Sequence, residues 1–164
     1  PHSTPKSPLI LRRYSGRVND ALRCSVPSRA VRVYDLIRYC MGWADANGNP
    51  YAGMTGKAVR PSLCLFACEA VGGSVDDAMP GAIALELIHN FSLIHDDIQD
   101  KDKLRHNRPT IWALWGNPKA LVAGNNLRVI ADITMNNLIR TGLTVNKCLK
   151  LIKSSILFKT KRIL

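Results

Sequence analysis

Three aspartates, Asp96, Asp97 and Asp100, close an otherwise apolar run in "FSLIHDDIQDKDKLRHNRPT" (residues 91–110), and basic residues follow at once. On a helix, Asp96 and Asp100 stand one turn apart on a shared face, with Asp97 beside them. Like charges at that spacing repel, and the helix C-terminal dipole disfavours negative charge as well. A divalent cation removes both penalties. Magnesium takes one or two carboxylates and completes its shell with water and phosphate oxygens. The alternative is a solvated helix end in which Lys101 and Lys103 neutralise the acids. On the residues alone both readings stay open.

Other polar groups surround this cluster in the chain. His89 lies seven residues before Asp96, two helical turns back and on a similar face. A histidine in an apolar helix is also a common core residue. Upstream, "GKAVRP" places Lys57 and Arg60 three apart beside Gly56, where both could point at one anion or simply face solvent. Arg105 and "HNRPT" come after the acids.

The elements that must position these groups read as helices. "SGRVNDALRCSV" carries Val18, Leu22 and Val26 at helical spacing, and "SRAVRVYDLIRYCMGW" puts Val33, Ile37, Cys40 and Met41 on one face. "ADANGNPYAGMTG" is a loop by its Gly, Asn and Pro content. Pro61 suits the first turn of a helix that stops at Gly72-Gly73. Ser74 with Asp77 resembles a capping box, opening a helix that passes Pro80 with a kink and runs to about Asp100. "PTIWALWG" is a short helix, "PKALVAGNNLRVIADITMNNLI" a longer one, and residues 144–158 form a last amphipathic piece. No convincing hairpin is expected. The fold class is all-α, an antiparallel helix bundle.

Composition bounds the rest. The chain has 164 residues and 46% hydrophobic content, enough for one domain with a core. No apolar stretch approaches the roughly 18 residues of a membrane span, and "PHSTPKSP" lacks the apolar core of a secretion signal. Five cysteines without a CxxC pair, with Cys64 and Cys68 one turn apart, read as buried free thiols in a reducing cytoplasm. The net charge of +11 sits at the ends: residues 1–44 carry +6, 45–132 carry −2 and 133–164 carry +7. Basic ends without a nucleic-acid reading motif are solvated or meet an acidic partner, and no nucleic-acid partner is expected.

The order and spacing of these segments resembles the trans-isoprenyl diphosphate synthase (polyprenyl synthetase) family. "GKAVRPSLCLFACEAVGG" is similar to its Gly-Lys-x-x-Arg-Pro segment, "ALELIHNFSLIHDDIQD" to its first aspartate-rich motif, and "RHNRPTIWALWG" to its Arg-Arg-Gly-x-Pro-Thr stretch. The resemblance implies a bundle of the isoprenoid synthase type and a prenyltransferase that joins isopentenyl diphosphate to an allylic diphosphate. It implies magnesium on Asp96 and Asp100, Asp97 as a supporting partner, and Arg105 as a positive clamp on the leaving diphosphate. Lys57, Arg60 and His89, with Arg105 and His106, match the isopentenyl diphosphate site. Phe91 and Ser92 match the positions that set chain length, and a lone aromatic beside a serine implies a product of fifteen to twenty carbons. A homodimer is implied for a full-length enzyme.

The chain also departs from that pattern. His106 stands where the family has a second arginine, and a neutral imidazole cannot form a bidentate clamp. Asn107 replaces a glycine, and Asn125 stands at an aspartate position in "AGNN". Family members are about twice as long, and no Asp or Glu follows Asp132, so their second aspartate-rich motif has no counterpart here. "FKTKRIL" reads as a basic helix end. The expected layout is a loose leader over 1–14, the first half of a synthase bundle over 15–140, and a basic amphipathic tail over 141–164. Such a chain is expected to be inactive alone. The alternative is a non-catalytic synthase-like subunit that binds a partner synthase.

Overall fold

The computed structural model describes residues 9–51, 58–142 and 150. Lys57, Cys148 and all but residue 150 of the helix expected over 144–158 lie outside the described residues. Six α-helices follow in order: α1 Leu9–Ser25, α2 Arg32–Cys40, α3 Val59–Ala70, α4 Val75–Gln99, α5 Ile111–Trp115 and α6 Asn117–Asn136. A 3-10 helix, Asn137–Thr141, continues α6. Among the described residues the fold is all-α apart from one two-stranded ladder and an isolated bridge between Ala44 and Pro50.

Each main helix contributes a fully enclosed side chain to one core: Val18 from α1, Ile37 from α2, Leu65 from α3, Leu87 from α4 and Leu127 from α6. Burial of each stabilises the fold by about 1.5–3 kcal/mol. The long α4 is the central element and packs chiefly on α6 and α3. The Ser74 side chain caps α4 by accepting from the Asp77 N–H at 3.3 Å, and the helix continues through Pro80 to Gln99. Gly72, with φ of +81°, makes the left-handed turn out of α3 that a side chain would strain. On the other side Tyr14 and Arg13 of α1 both reach Glu69 of α3.

Three expectations change. First, α1 already runs from Leu9, inside the stretch assigned to a leader, and buried Tyr14 is tied to it. Second, α2 spans only Arg32–Cys40, and its buried residues are Leu36, Ile37 and Tyr39, while Cys40 and Met41 are partly buried against the core. Tyr39 goes inward because its hydroxyl finds the Pro109 carbonyl at 2.6 Å, which satisfies the one polar atom the ring brings with it. Third, a hairpin exists: Leu104–Arg105 pairs antiparallel with Arg108–Pro109. Its turn residues His106 and Asn107 have φ of +50° and +60°. Two left-handed residues in succession match the twist of a two-residue hairpin, and Asn and His tolerate that region better than most side chains. Strands of two residues are too short to leave an alternating pattern in sequence.

The thiols differ from expectation in burial. Cys24 is exposed and Cys40, Cys64 and Cys68 are partly buried, all four unpaired. The Cys40 thiol is enclosed tightly enough that burial, reinforced by the Asp97 charge, pushes it up to about 12.

Candidate functional site

The last three turns of α4 and the hairpin that follows form one rigid corner. Asp100 caps α4, with its N–H on the Asp96 carbonyl at 2.8 Å. Lys101 then turns through a left-handed conformation, φ +58°, and the Asp102 N–H returns to the Asp97 carbonyl at 3.0 Å. Thr110 and Trp112 both donate to the Asp102 carbonyl, at 2.9 and 2.8 Å. Arg108 is fixed as well. Its guanidinium lies over the rings of Tyr39 and Tyr51, 4.2 and 4.6 Å from their centroids, and donates to the backbone carbonyls of Tyr39 and Ala44. Those bonds anchor Arg108 to the corner, and it also lines the cavity beside it.

Asp97 is buried, and Arg105 donates to its Oδ1 from Nε at 2.7 Å and from Nη2 at 2.6 Å. Burial outweighs the arginine, so the Asp97 carboxyl is held above the ordinary carboxylate range. Asp97 in turn holds Arg105 more firmly protonated. Asp96 is half-buried and Asp100 exposed, and among the described residues no ion pair joins either of them, or Asp97, to Lys101 or Lys103.

A cavity of about 450 Å³ opens beside this corner. Arg60 from α3, His89 and Asp97 from α4, and Arg105 and His106 from the hairpin all line it. Ala58, which precedes α3, also lines it, and α3 starts there without a side-chain cap. The His89 imidazole is held below its ordinary value by burial, then by the charges of Arg60 and Arg105. His106 sits at the exposed tip of the hairpin, and Lys57 lies outside the described residues.

The remaining candidates face elsewhere. Phe91 is half-buried with its ring 4.5 Å from that of His95, on the side of α4 that meets Gly124 of α6. The Ser92 hydroxyl donates back to the His89 carbonyl at 2.7 Å. Neither lines the cavity, nor do Asp96 and Asp100. Two groups in the cavity wall were not singled out from sequence: Glu86, three residues before His89 on the same face, and Asn90. The spacing from His89 was the available signal for Glu86.

Among the described residues no three His, Cys, Asp or Glu side chains close into a metal cage. The donors available at the end of α4 are the two carboxylates of Asp96 and Asp100, hard oxygen ligands one turn apart. Such a pair fits magnesium, which keeps several non-protein ligands, better than it fits a metal that needs a full protein cage.

A polyprenyl synthetase family profile matches residues 43–161. The chain belongs to the polyprenyl synthetase family. It is 48% identical over 96 residues to a (2E,6E)-farnesyl diphosphate synthase of Mycobacterium bovis, an alignment covering 58% of this chain and 27% of that one. It is 37% identical over 122 residues to a geranylgeranyl diphosphate synthase of Mycobacterium tuberculosis, covering 74% of this chain and 35% of the relative. Among solved structures, a polyprenyl synthetase from Streptomyces coelicolor A3(2) superposes with a TM-score of 0.78 at 37% identity, over 89% of this chain and 43% of that chain. A geranylgeranyl pyrophosphate synthetase from Pyrococcus horikoshii gives a TM-score of 0.70 at 31% identity, over 89% and 43%. This polyprenyl synthetase chain therefore has the all-α fold of its relatives and spans less than half their length. No described helix is long and apolar enough to cross a membrane.

Proposed function

We propose that this chain supplies the diphosphate-binding half of a prenyltransferase that condenses isopentenyl diphosphate with an allylic diphosphate. The observation that carries the reading is the convergence of Arg60, His89 and Arg105 on one cavity beside the aspartates of α4. Asp96 and Asp100 would hold magnesium, which supplies positive charge to the departing diphosphate when bound. Arg105, oriented by Asp97, places a fixed guanidinium at the same corner, ready to stabilise charge without reorganising. Arg60 and His89, with Lys57, would bind the diphosphate of isopentenyl diphosphate. The apolar face of α4, with Phe91 and Ser92, would receive the growing chain, and a product of fifteen to twenty carbons agrees with the farnesyl and geranylgeranyl synthases among the relatives. Free thiols at the four described cysteines support work in the cytoplasm, and a homodimer is proposed for a full-length form.

The test is incorporation of labelled isopentenyl diphosphate into an allylic diphosphate with magnesium present. A form carrying a second acidic motif should turn over and lose activity on Asp96→Ala. The 164-residue chain alone should show little or none, because no Asp or Glu follows Asp132. Activity retained by Asp96→Ala would refute the metal role, and clear turnover by the 164-residue chain would refute its dependence on a second motif.

A second reading is a subunit that assembles with a partner synthase. It draws support from 43% identity over 113 residues to a "heterodimeric geranylgeranyl pyrophosphate synthase large subunit 1, chloroplastic" of Arabidopsis thaliana. The exposed Leu121, Val129 and Ile133, spaced along one side of α6, support it too. Co-purification with a complete synthase, with diphosphate binding but no turnover, would favour this reading.

A further inference from the structure

Glu86 is a carboxyl in the wall of the cavity that none of the roles above employs. It projects from α4 one turn before His89 and Asn90, and all three line the cavity that Arg60 borders from α3. Asn90 donates its Nδ2 to the Glu86 backbone carbonyl at 2.9 Å and only distantly, at 3.4 Å, to the carboxyl Oε1. The other oxygen, Oε2, is fully buried and has no hydrogen-bond partner among the described residues. A buried carboxylate oxygen without a partner is costly, so a helix that carries one beside an arginine calls for an account.

Arg60 supplies the complementary half. It lies in the first turn of α3 and is exposed, so its long side chain has many rotamers available. An arginine that must meet a diphosphate loses that freedom on binding, which weakens affinity unless part of the cost is met beforehand. A guanidinium has five N–H donors in a planar fork, so one edge can rest on a carboxylate while another faces an anion. The Arg60 charge already acts on Glu86, opposing the upward shift that burial imposes on its carboxyl.

We propose that Glu86 is the positioning residue for Arg60. The two make no ion pair among the described residues. When a diphosphate enters the cavity they share, the unpartnered Oε2 receives one edge of the guanidinium and aims the other towards the diphosphate of isopentenyl diphosphate. This deepens the functional reading above and rests on it. Glu86 does not touch the substrate and acts through Arg60 alone. Its removal therefore weakens isopentenyl diphosphate binding only while Arg60 is present.

A double-mutant cycle read by calorimetric titration of the chain with isopentenyl diphosphate tests this. Arg60→Ala and Glu86→Ala should each weaken binding by about tenfold or more, and the double variant should be no weaker than Arg60→Ala alone within about twofold. Glu86→Gln keeps the shape and loses the charge. It should fall between wild type and Glu86→Ala with an unchanged far-ultraviolet spectrum, which keeps the test valid if the alanine variant fails to fold. Losses that multiply in the double variant, or wild-type affinity in Glu86→Gln and Glu86→Ala with Arg60→Ala still impaired, would overturn the role of Glu86 and leave the site reading standing. Wild-type affinity in Arg60→Ala would overturn the site reading itself.

Discussion

Arg105 places two donors, Nε and Nη2, on a single oxygen of Asp97, at 2.7 and 2.6 Å, across the turn that joins α4 to the hairpin. The middle acid of the three is thereby tied to an arginine through one oxygen, while Asp96 and Asp100 make no ion pair among the described residues. The same pair fixes Arg105 on the cavity wall. One ion pair thus divides the acidic cluster into a structural member and two candidate ligands.

Breaking that pair should be felt in stability. Asp97→Asn leaves Arg105 without its counter-charge in a site where the carboxyl is only 9% exposed and the guanidinium 33%. The unfolding free energy should fall by about 2 kcal/mol, less than for a fully buried pair because Arg105 is partly solvated. Urea unfolding followed by far-ultraviolet dichroism measures it. A change within about 0.5 kcal/mol would show that the pair contributes nothing net.

His89 should titrate below the ordinary 6.5, because burial and the charges of Arg60 and Arg105 all disfavour its protonated form. A base whose folded pKa is depressed contributes stability that is present above its unfolded value and lost as pH falls towards the folded value. A proton–carbon NMR titration, assigned with His89→Gln, should place it under 6.5 in wild type and higher in Arg60→Ala. A value at or above 6.5 in wild type would contradict the depression, and an unchanged value in Arg60→Ala would show that the Arg60 charge does not act on His89.

Gly124 is a close approach between α6 and α4. A Cβ there would lie 2.6 Å from Nε2 and 2.7 Å from Cδ2 of His95, and that ring is backed by Phe91. Gly124→Ala gains helix propensity of about 1 kcal/mol but forces the helices apart, and the net loss should be about 1–2 kcal/mol. Thermal unfolding would register it as a lowered Tm. An unchanged or raised Tm would mean that His95 can move aside freely.

The helices were legible because their signals are local: Ser74 and Asp77 announce the start of α4, Pro61 the first turn of α3, and Gly72 its end. The acids, Arg60 and His89 were legible by type and spacing. What sequence could not supply was the pairing across elements. Tyr39 turns inward for a carbonyl seventy residues away, at Pro109, and Arg108 is held by Tyr39, Ala44 and Tyr51. The departures His106 and Asn107 looked like losses from a binding motif, yet both occupy left-handed turn positions that shape the hairpin. Backbone geometry of that kind leaves little trace in hydrophobic pattern.

The measurement closest to the central claim is allylic diphosphate binding by the chain, titrated with and without magnesium in wild type and in Asp96→Ala and Asp100→Ala. The account predicts that magnesium strengthens binding by about tenfold or more in wild type and by far less in either variant. Equal strengthening by magnesium in all three proteins would contradict it.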